Sequence, residues 1–367
     1  MNFKEYNDYV IERIYALARS KKELLADLHI HTNISTDGTQ NVFDVLHNTR
    51  KKGFDIIAIT DHDSIGAYEE ILNLSFADLD KFPIVIPGIE FSVSHTFYSK
   101  RCHVLKYFID TDNKEFCNNL KKNKEAYVMR SIRQFELIKY NKTIEYYRKN
   151  KGLRLSFEGY SDFLDRNVVH EYDYPTLMNY IYSEMQHKGI DIWDVYQKCL
   201  EYNDEDKCEE RKCKVKVALK KFYQKNKDKD IRHDYSKLTR LLAVVDVDDE
   251  DYKGYEYSGS LSVNQYNQVK IEELDNCGLN ILAHPNLDLV SLYSKFGHVF
   301  SGMELNYRST VLENEICEKE ASRLSVLLTR GSDSHNLTDD FYENISFYKF
   351  GSSEVYGLIE AVSNTCK

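Results

Sequence analysis

The first chemistry this sequence offers is a set of histidines and carboxylates placed in short apolar runs. His29 and His31 lie in ELLADLHIH (23–31), Asp61 and His62 in FDIIAITDH (54–62), and Glu90 in FPIVIPGIEFSV (82–93). His103 lies in CHVLKYFID (102–110), His284 in LNILAHP (279–285), and Asp333 and His335 in LSVLLTRGSDSH (324–335). His29-x-His31 and Asp333-x-His335 have a spacing of two, which on a strand turns both side chains to one face. Imidazole and carboxylate together suit Zn²⁺, Mn²⁺ or Fe²⁺. Seven or more such groups exceed the needs of one tetrahedral zinc. The count therefore points to a multinuclear site, which can bridge a phosphate and lower the pKa of a bound water to near neutrality. A single histidine is more often an ordinary surface or core residue, and His47, His95, His170, His187, His233 and His298 are read that way. Pairs repeated at both ends of the chain are harder to explain as packing, because burying so many ionisable groups without a metal is costly.

A phosphate would also meet cationic side chains, arginine being the best bidentate partner. Arg308 follows the strand-like SGMELNY (301–307), and Arg130 and Arg133 form an R-x-x-R pair on one helix face. All three are candidate substrate-binding residues.

The elements that must position these groups follow from texture. Each apolar run reads as a buried strand, with its polar residues at the C-terminal end, where parallel α/β barrels build active sites. Helical stretches near 42–52, 265–277 and 311–323 separate them, and this alternation indicates an α/β fold with a parallel barrel or sheet. Residues 3–20 read as an amphipathic helix with Tyr6, Val10, Ile14 and Leu17 on one stripe. From 112 to 245 the chain is charged, tyrosine-rich and helical in pattern, with a highly charged piece near 201–234 that suits a solvated helix face or a loop. The expected division is a barrel from 1–110 and 261–367, with 111–260 as a helical insertion that shapes substrate choice and supplies no metal ligand.

The net charge of −10, from 59 acidic and 49 basic residues, argues against extended, nonspecific coating of nucleic acid and leaves room for a small phosphate pocket. None of the eight cysteines forms a C-x-x-C pair, so they read as free thiols of a reducing cytoplasm. The acidic residues of MNFKEYNDYVIERIYAL do not suit a signal peptide, and no window approaches 18 uncharged apolar residues, so no membrane span is expected.

Taken in order, ADLHIHTNISTDG, AITDHDS, PGIEFS, CHVLKYFID, LAHP and GSDSH resemble the motifs of the polymerase and histidinol phosphatase (PHP) superfamily. The resemblance covers about 23–110 and 279–336. It implies a distorted (β/α)7 barrel with a trinuclear metal site. It further implies that His29, His31, Glu90 and Asp333 bind a first ion. Glu90 would bridge to a second ion completed by His103 and His284, and Asp37, His62 and His335 would bind a third. Glu90, Asp333 and His335 are then the expected catalytic residues, and Asp27 and Asp61 would orient ligating imidazoles. Two departures stand out. The stretch between His31 and Asp37, in the loop NISTDG, is one residue longer than in many relatives, and Lys106 replaces a usual glycine and is expected at the surface.

The expected activity is hydrolysis of a phosphate ester by a metal-bridging hydroxide, using two or three divalent ions (Mn²⁺, Zn²⁺ or Fe²⁺). Within the family, Asp37 and the TDHD segment look more like the nucleotide phosphatase and 5′-3′ oligonucleotide exonuclease branch. A histidinol-phosphate or sugar-phosphate phosphatase is the alternative enzyme. A non-catalytic binding module of the same fold is the alternative of another class, disfavoured because every ligand position carries a competent residue. The expected partner is a small phosphorylated substrate, a nucleotide or short oligonucleotide, and no membrane.

Overall fold

The computed structural model describes residues 1–35, 38–95, 98–138, 141–166, 174–204, 219–229, 268–336 and 344–365. The chain divides into two compact units, Met1–Lys124 with Asn267–Lys367, and Glu125–Tyr266. The helix Lys114–Ile138 begins in the first and ends in the second.

The first unit is a distorted α/β barrel built on one curled sheet. Its strands are β1 (Glu23–Ile30), β2 (Ile56–Ile59), β3 (Ile84–His95), β4 (Tyr98–Tyr107), β5 (Leu279–Leu282), β6 (Gly302–Asn306), β7 (Leu327–Gly331) and β8 (Lys349–Gly351). They are ordered β7-β6-β5-β4-β3-β2-β1-β8. β2 (IIAI) and β5 (LNIL) are buried at every residue, as strands covered on both faces must be. Past the end of β7 the chain returns to β1: Ile30 bridges Ser334 in parallel, and the His31 N–H donates to the Ser334 carbonyl at 2.9 Å. The barrel is thus drawn closed between its first and seventh strands. Tyr107 adds a tie from β4 to β1, its hydroxyl donating to the Leu28 carbonyl at 2.7 Å.

Two expectations change here. The strands are not all parallel. β1, β2 and β3 pair in parallel, as do β5, β6 and β7, but β4 runs antiparallel to both β3 and β5. The cause is connection length. Two residues separate β3 from β4, whereas a parallel crossover needs a dozen or more. The short β8, antiparallel to β1, was not anticipated. Lys106 is not at the surface either. It is 1 % exposed, with Nζ 3.0 Å from Asp275 Oδ1 and bonded to the Asp275 carbonyl and to Asn280 Oδ1. An ammonium can be buried where an ion pair and further acceptors meet it, and Asp275, just before β5, and Asn280, within it, supply them.

The N-terminal helix, Phe3–Ser20, starts from a capping box between Asn2 and Glu5 and buries Phe3, Tyr6, Val10, Ile14 and Ala18. The stripe ends on Ala18, with Leu17 only partly covered. The Tyr6 hydroxyl donates to the Val85 carbonyl at 3.0 Å, fastening this helix to β3. Among the described residues no helix is long and apolar enough to cross a membrane.

The second unit is helical. Lys142–Lys151, Phe157–Arg166, Tyr174–His187 and Ile192–Asp204 are helices. They close over their own core, which is rich in aromatics: Phe135, Tyr147, Tyr160, Tyr180, Tyr182 and Tyr196 are all buried in it. Part of the charged piece near 201–234 lies outside the described residues.

Candidate metal centre

The histidines and carboxylates converge at one end of the barrel. β1 carries His29, and His31 follows it. β2 is followed by Asp61 and His62, and a parallel bridge between His62 and Glu90 prolongs its pairing with β3. His284 follows β5, and Asp333 and His335 follow β7. His103 corrects the expectation of C-terminal placement. It lies inside β4, opposite Ser92, and reaches the same end of the barrel because β4 runs backwards.

Glu90 is the centre of the arrangement and is fully buried. Its Oε2 lies 3.2 Å from His29 Nε2, 3.2 Å from His31 Nε2 and 3.1 Å from His62 Nδ1. Its Oε1 lies 2.9 Å from His103 Nδ1 and 3.0 Å from His284 Nε2. Asp333 Oδ1 approaches His31 Nε2 at 3.4 Å and His29 Nε2 at 3.6 Å. Three sets of ligand atoms come within 4.8 Å of one another: His29, His31, Glu90 and Asp333; His62, Glu90 and His103; and His31, His62 and His335. The first is the set the resemblance implies for one ion. The second shares Glu90 and His103 with the next implied set, and His284 touches the same Glu90 oxygen. The third holds His62 and His335 with His31. Asp37 lies outside the described residues.

The donor set fits metal ions. His29 Nδ1 lies 2.8 Å from Glu304 Oε1, and an ionised carboxylate only accepts, so the proton of a neutral ring sits on Nδ1 and the Nε2 lone pair faces inward. His31 Nδ1 meets Ser35 Oγ at 3.2 Å, and that hydroxyl donates to Asp61 Oδ1 at 2.9 Å, which sets His31 the same way. Two imidazole nitrogens then stand 3.1 Å apart. Beside them is a Glu90 oxygen that is buried and makes no hydrogen bond. Lone pairs so crowded call for a cation between them.

The electrostatics agree. Burial opposes ionisation of Glu90 and Asp333, yet surrounding imidazoles hold both carboxyls below their ordinary range, His62 and His29 leading for Glu90 and His29 for Asp333. Burial also opposes a charged His31, yet Asp333 and Glu90 pull it up to about 9. Burial wins at His103, whose pKa falls. The cluster demands positive charge at its middle.

Asp27 and Asp61 are both buried. Asp61 takes the Thr32 N–H at 2.7 Å and the Ser35 hydroxyl, so it reaches His31 through Ser35. Asp27 takes the backbone N–H groups of His29 at 3.3 Å and Ser332 at 2.9 Å, and burial raises its carboxyl to about 6. It binds β1 to the β7 end.

Glu304 was not singled out from the sequence. The available signal was a lone carboxylate in the middle of GMELN, a strand buried at every residue. Arg308 stands at the centre's edge, its Nη1 3.4 Å from Asp333 Oδ2, with a side chain 42 % exposed. Arg130 and Arg133 belong to the second unit, where Arg130 is buried with its guanidinium 4.7 Å from the Tyr127 ring centroid. His170 and His233 lie outside the described residues.

The PHP domain model matches residues 27–209. No curated protein shows significant similarity to the chain. Among solved structures, the fold is similar to an amidohydrolase from Chromobacterium violaceum with bound sulfate, at 16 % identity and a TM-score of 0.51, covering 89 % of this chain and 98 % of that one. A candidate metal-dependent phosphoesterase from Bifidobacterium adolescentis also matches, at 16 % identity and a TM-score of 0.48, covering 84 % of this chain and 87 % of that one.

Proposed function

We propose that this chain, whose residues 27–209 match the PHP domain model, binds two or three divalent ions at its histidine–carboxylate cluster and hydrolyses phosphate esters. The observation that carries this reading is the buried Glu90 carboxylate, with imidazole nitrogens of five histidines within 3.2 Å of its oxygens. Divalent ions held there would supply Lewis-acid charge for the phosphoryl oxygens and lower the pKa of an attacking water. His29, His31, Glu90, Asp333, His62, His103, His284 and His335 would hold them, with Asp37 as a further ligand.

The protein's own groups then do the rest. Arg308, at the rim beside Asp333, is suited to grip two phosphate oxygens through its planar fork. The buried carboxylates keep the imidazoles oriented. The substrate class we favour is a nucleotide or short oligonucleotide bearing a phosphate ester, and the location we favour is cytoplasmic. The acidic net charge supports a discrete small ligand over extended nucleic acid.

The test is a screen of phosphate monoesters, including histidinol phosphate and sugar phosphates, and of short oligonucleotides, with Mn²⁺ added. Turnover of nucleotides or oligonucleotides well above the other esters is expected. Preference for histidinol phosphate would move the reading to the alternative phosphatase. A folded, metal-loaded protein that turns over none of them would leave a binding module.

A further inference from the structure

Glu304 sits in the middle of β6 at 1 % exposure, and both of its oxygens are committed to metal-cluster residues. Oε1 lies 2.8 Å from His29 Nδ1, and Oε2 accepts the backbone N–H of His284 at 2.6 Å. We propose that Glu304 is a positioning residue of the centre, locking the tautomer of His29 and the backbone of His284 at once. This inference rests on reading the cluster as a metal centre.

A neutral imidazole has one N–H to place. With an acceptor-only carboxylate at Nδ1, the proton stays there and Nε2 keeps its lone pair. That nitrogen faces His31 Nε2 at 3.1 Å, Glu90 Oε2 at 3.2 Å and Asp333 Oδ1 at 3.6 Å. Without Glu304 the proton is free to move to Nε2, where Glu90 would accept it and the ligand atom would be lost. Orienters of this kind are worth about 10- to 100-fold in metal affinity.

The second oxygen does separate work. His284 has φ of +26°, although it precedes Pro285, a position that favours extended backbone. Such a conformation persists only where its surroundings hold it. The hydrogen bond from its N–H to Glu304 is one such restraint, and it places the imidazole against Glu90.

Gly331 bears independently on the same pair. A Cβ added there would lie 2.3 Å from Glu304 Oε1 and 2.3 Å from His29 Cβ. The backbone of β7 therefore packs directly against the Glu304–His29 contact, and only a hydrogen fits. The brace has no slack on that side.

The experiment is calorimetric titration of chelator-treated protein with Zn²⁺, for wild type, Glu304→Gln and Gly331→Ala, with thermal unfolding to confirm the fold. The tightest Zn²⁺ is expected to bind 10- to 100-fold more weakly in Glu304→Gln. Gly331→Ala should weaken it in the same direction, because it keeps the carboxylate but forces Glu304 and His29 apart. In Zn²⁺-loaded, ¹⁵N-histidine-labelled protein, the His29 Nδ1–H signal should be protected from exchange in wild type and lose that protection in Glu304→Gln. A folded Glu304→Gln with Zn²⁺ affinity within threefold of wild type overturns the proposal. Weakened affinity with an unaltered Nδ1–H signal overturns it too, since the loss would then not pass through the tautomer. If Glu304→Gln does not fold, Gly331→Ala is read by the same criteria. Failure of the underlying metal reading looks different: wild type itself would take up no Zn²⁺.

Discussion

The two units bury very different things. The barrel unit hides ionisable groups at its heart, with His29, His31, Asp27, Asp61, Glu90 and Glu304 all at 1 % exposure or less. The helical unit hides aromatic rings, with Tyr160 and Tyr180 packed beside Phe135 and Tyr182 buried in the same core. Burying charge is costly unless every group is matched, so the barrel has taken on a burden that folding alone does not require. That difference separates the two roles. In the barrel a change of one atom type should remove chemistry. In the helical unit a change of volume should remove stability.

The largest effect is expected at Glu90. Glu90→Gln keeps the shape but gives an amide that bridges ions poorly. It should lower kcat by about 1000-fold, about 4 kcal/mol of barrier, with the thermal unfolding profile still cooperative. Activity within tenfold of wild type would take Glu90 out of the centre of the mechanism and erase the contrast between the units.

Next in size is the converse experiment. Tyr160 is fully buried in the aromatic core, and Tyr160→Ala should destabilise the protein by about 3 kcal/mol, as large-to-small core changes do. Elemental analysis should still find the wild-type metal content. A drop in bound metal would mean that the helical unit helps to hold the ions, and the division of labour would fail.

A smaller effect sharpens the comparison at the rim. Arg308→Lys keeps the charge and loses the fork, so a decrease in kcat/KM of about tenfold, roughly 1.4 kcal/mol, is expected with unchanged metal content. Arg130→Lys and Arg133→Lys should do less, about two- to threefold and mostly in KM, on the order of 0.5 kcal/mol. Steady-state kinetics of the three variants on one substrate decides. If Arg308→Lys behaves as wild type while Arg133→Lys is crippled, the phosphate clamp belongs to the helical unit.

Much of the barrel could be read in advance. The runs at 23–31, 54–62, 82–93, 102–110, 279–285, 301–307 and 324–335 became β1 to β7 in order, because a buried strand must be apolar and its boundary shows where polar residues return. His29, His31, His62 and His284, at or just past the ends of such runs, are among the residues the fold gathers around Glu90, whereas His103 comes from inside β4. Less visible was β8, three residues long at Lys349–Gly351, too short to carry a pattern. The stripe of the first helix was read almost correctly, and the exchange of Leu17 for Ala18 is the rotation of one residue around the helix.

By itself the sequence determined which residue types were available for chemistry and that they stood in or beside buried strands. These are local facts, set by side-chain chemistry and by the burial that an apolar run requires. Only the tertiary structure decided the direction of β4, and with it the arrival of His103 beside Glu90. Apolar texture reports burial but carries no information on which way a strand runs. The same holds for Lys106, buried against Asp275, and for Glu304, paired with His29 across the chain. A charged residue inside an apolar run looks the same in sequence whether it is exposed, paired or holding a ligand. Its meaning depends on a partner far away in the chain, and folding alone brings that partner within hydrogen-bonding distance.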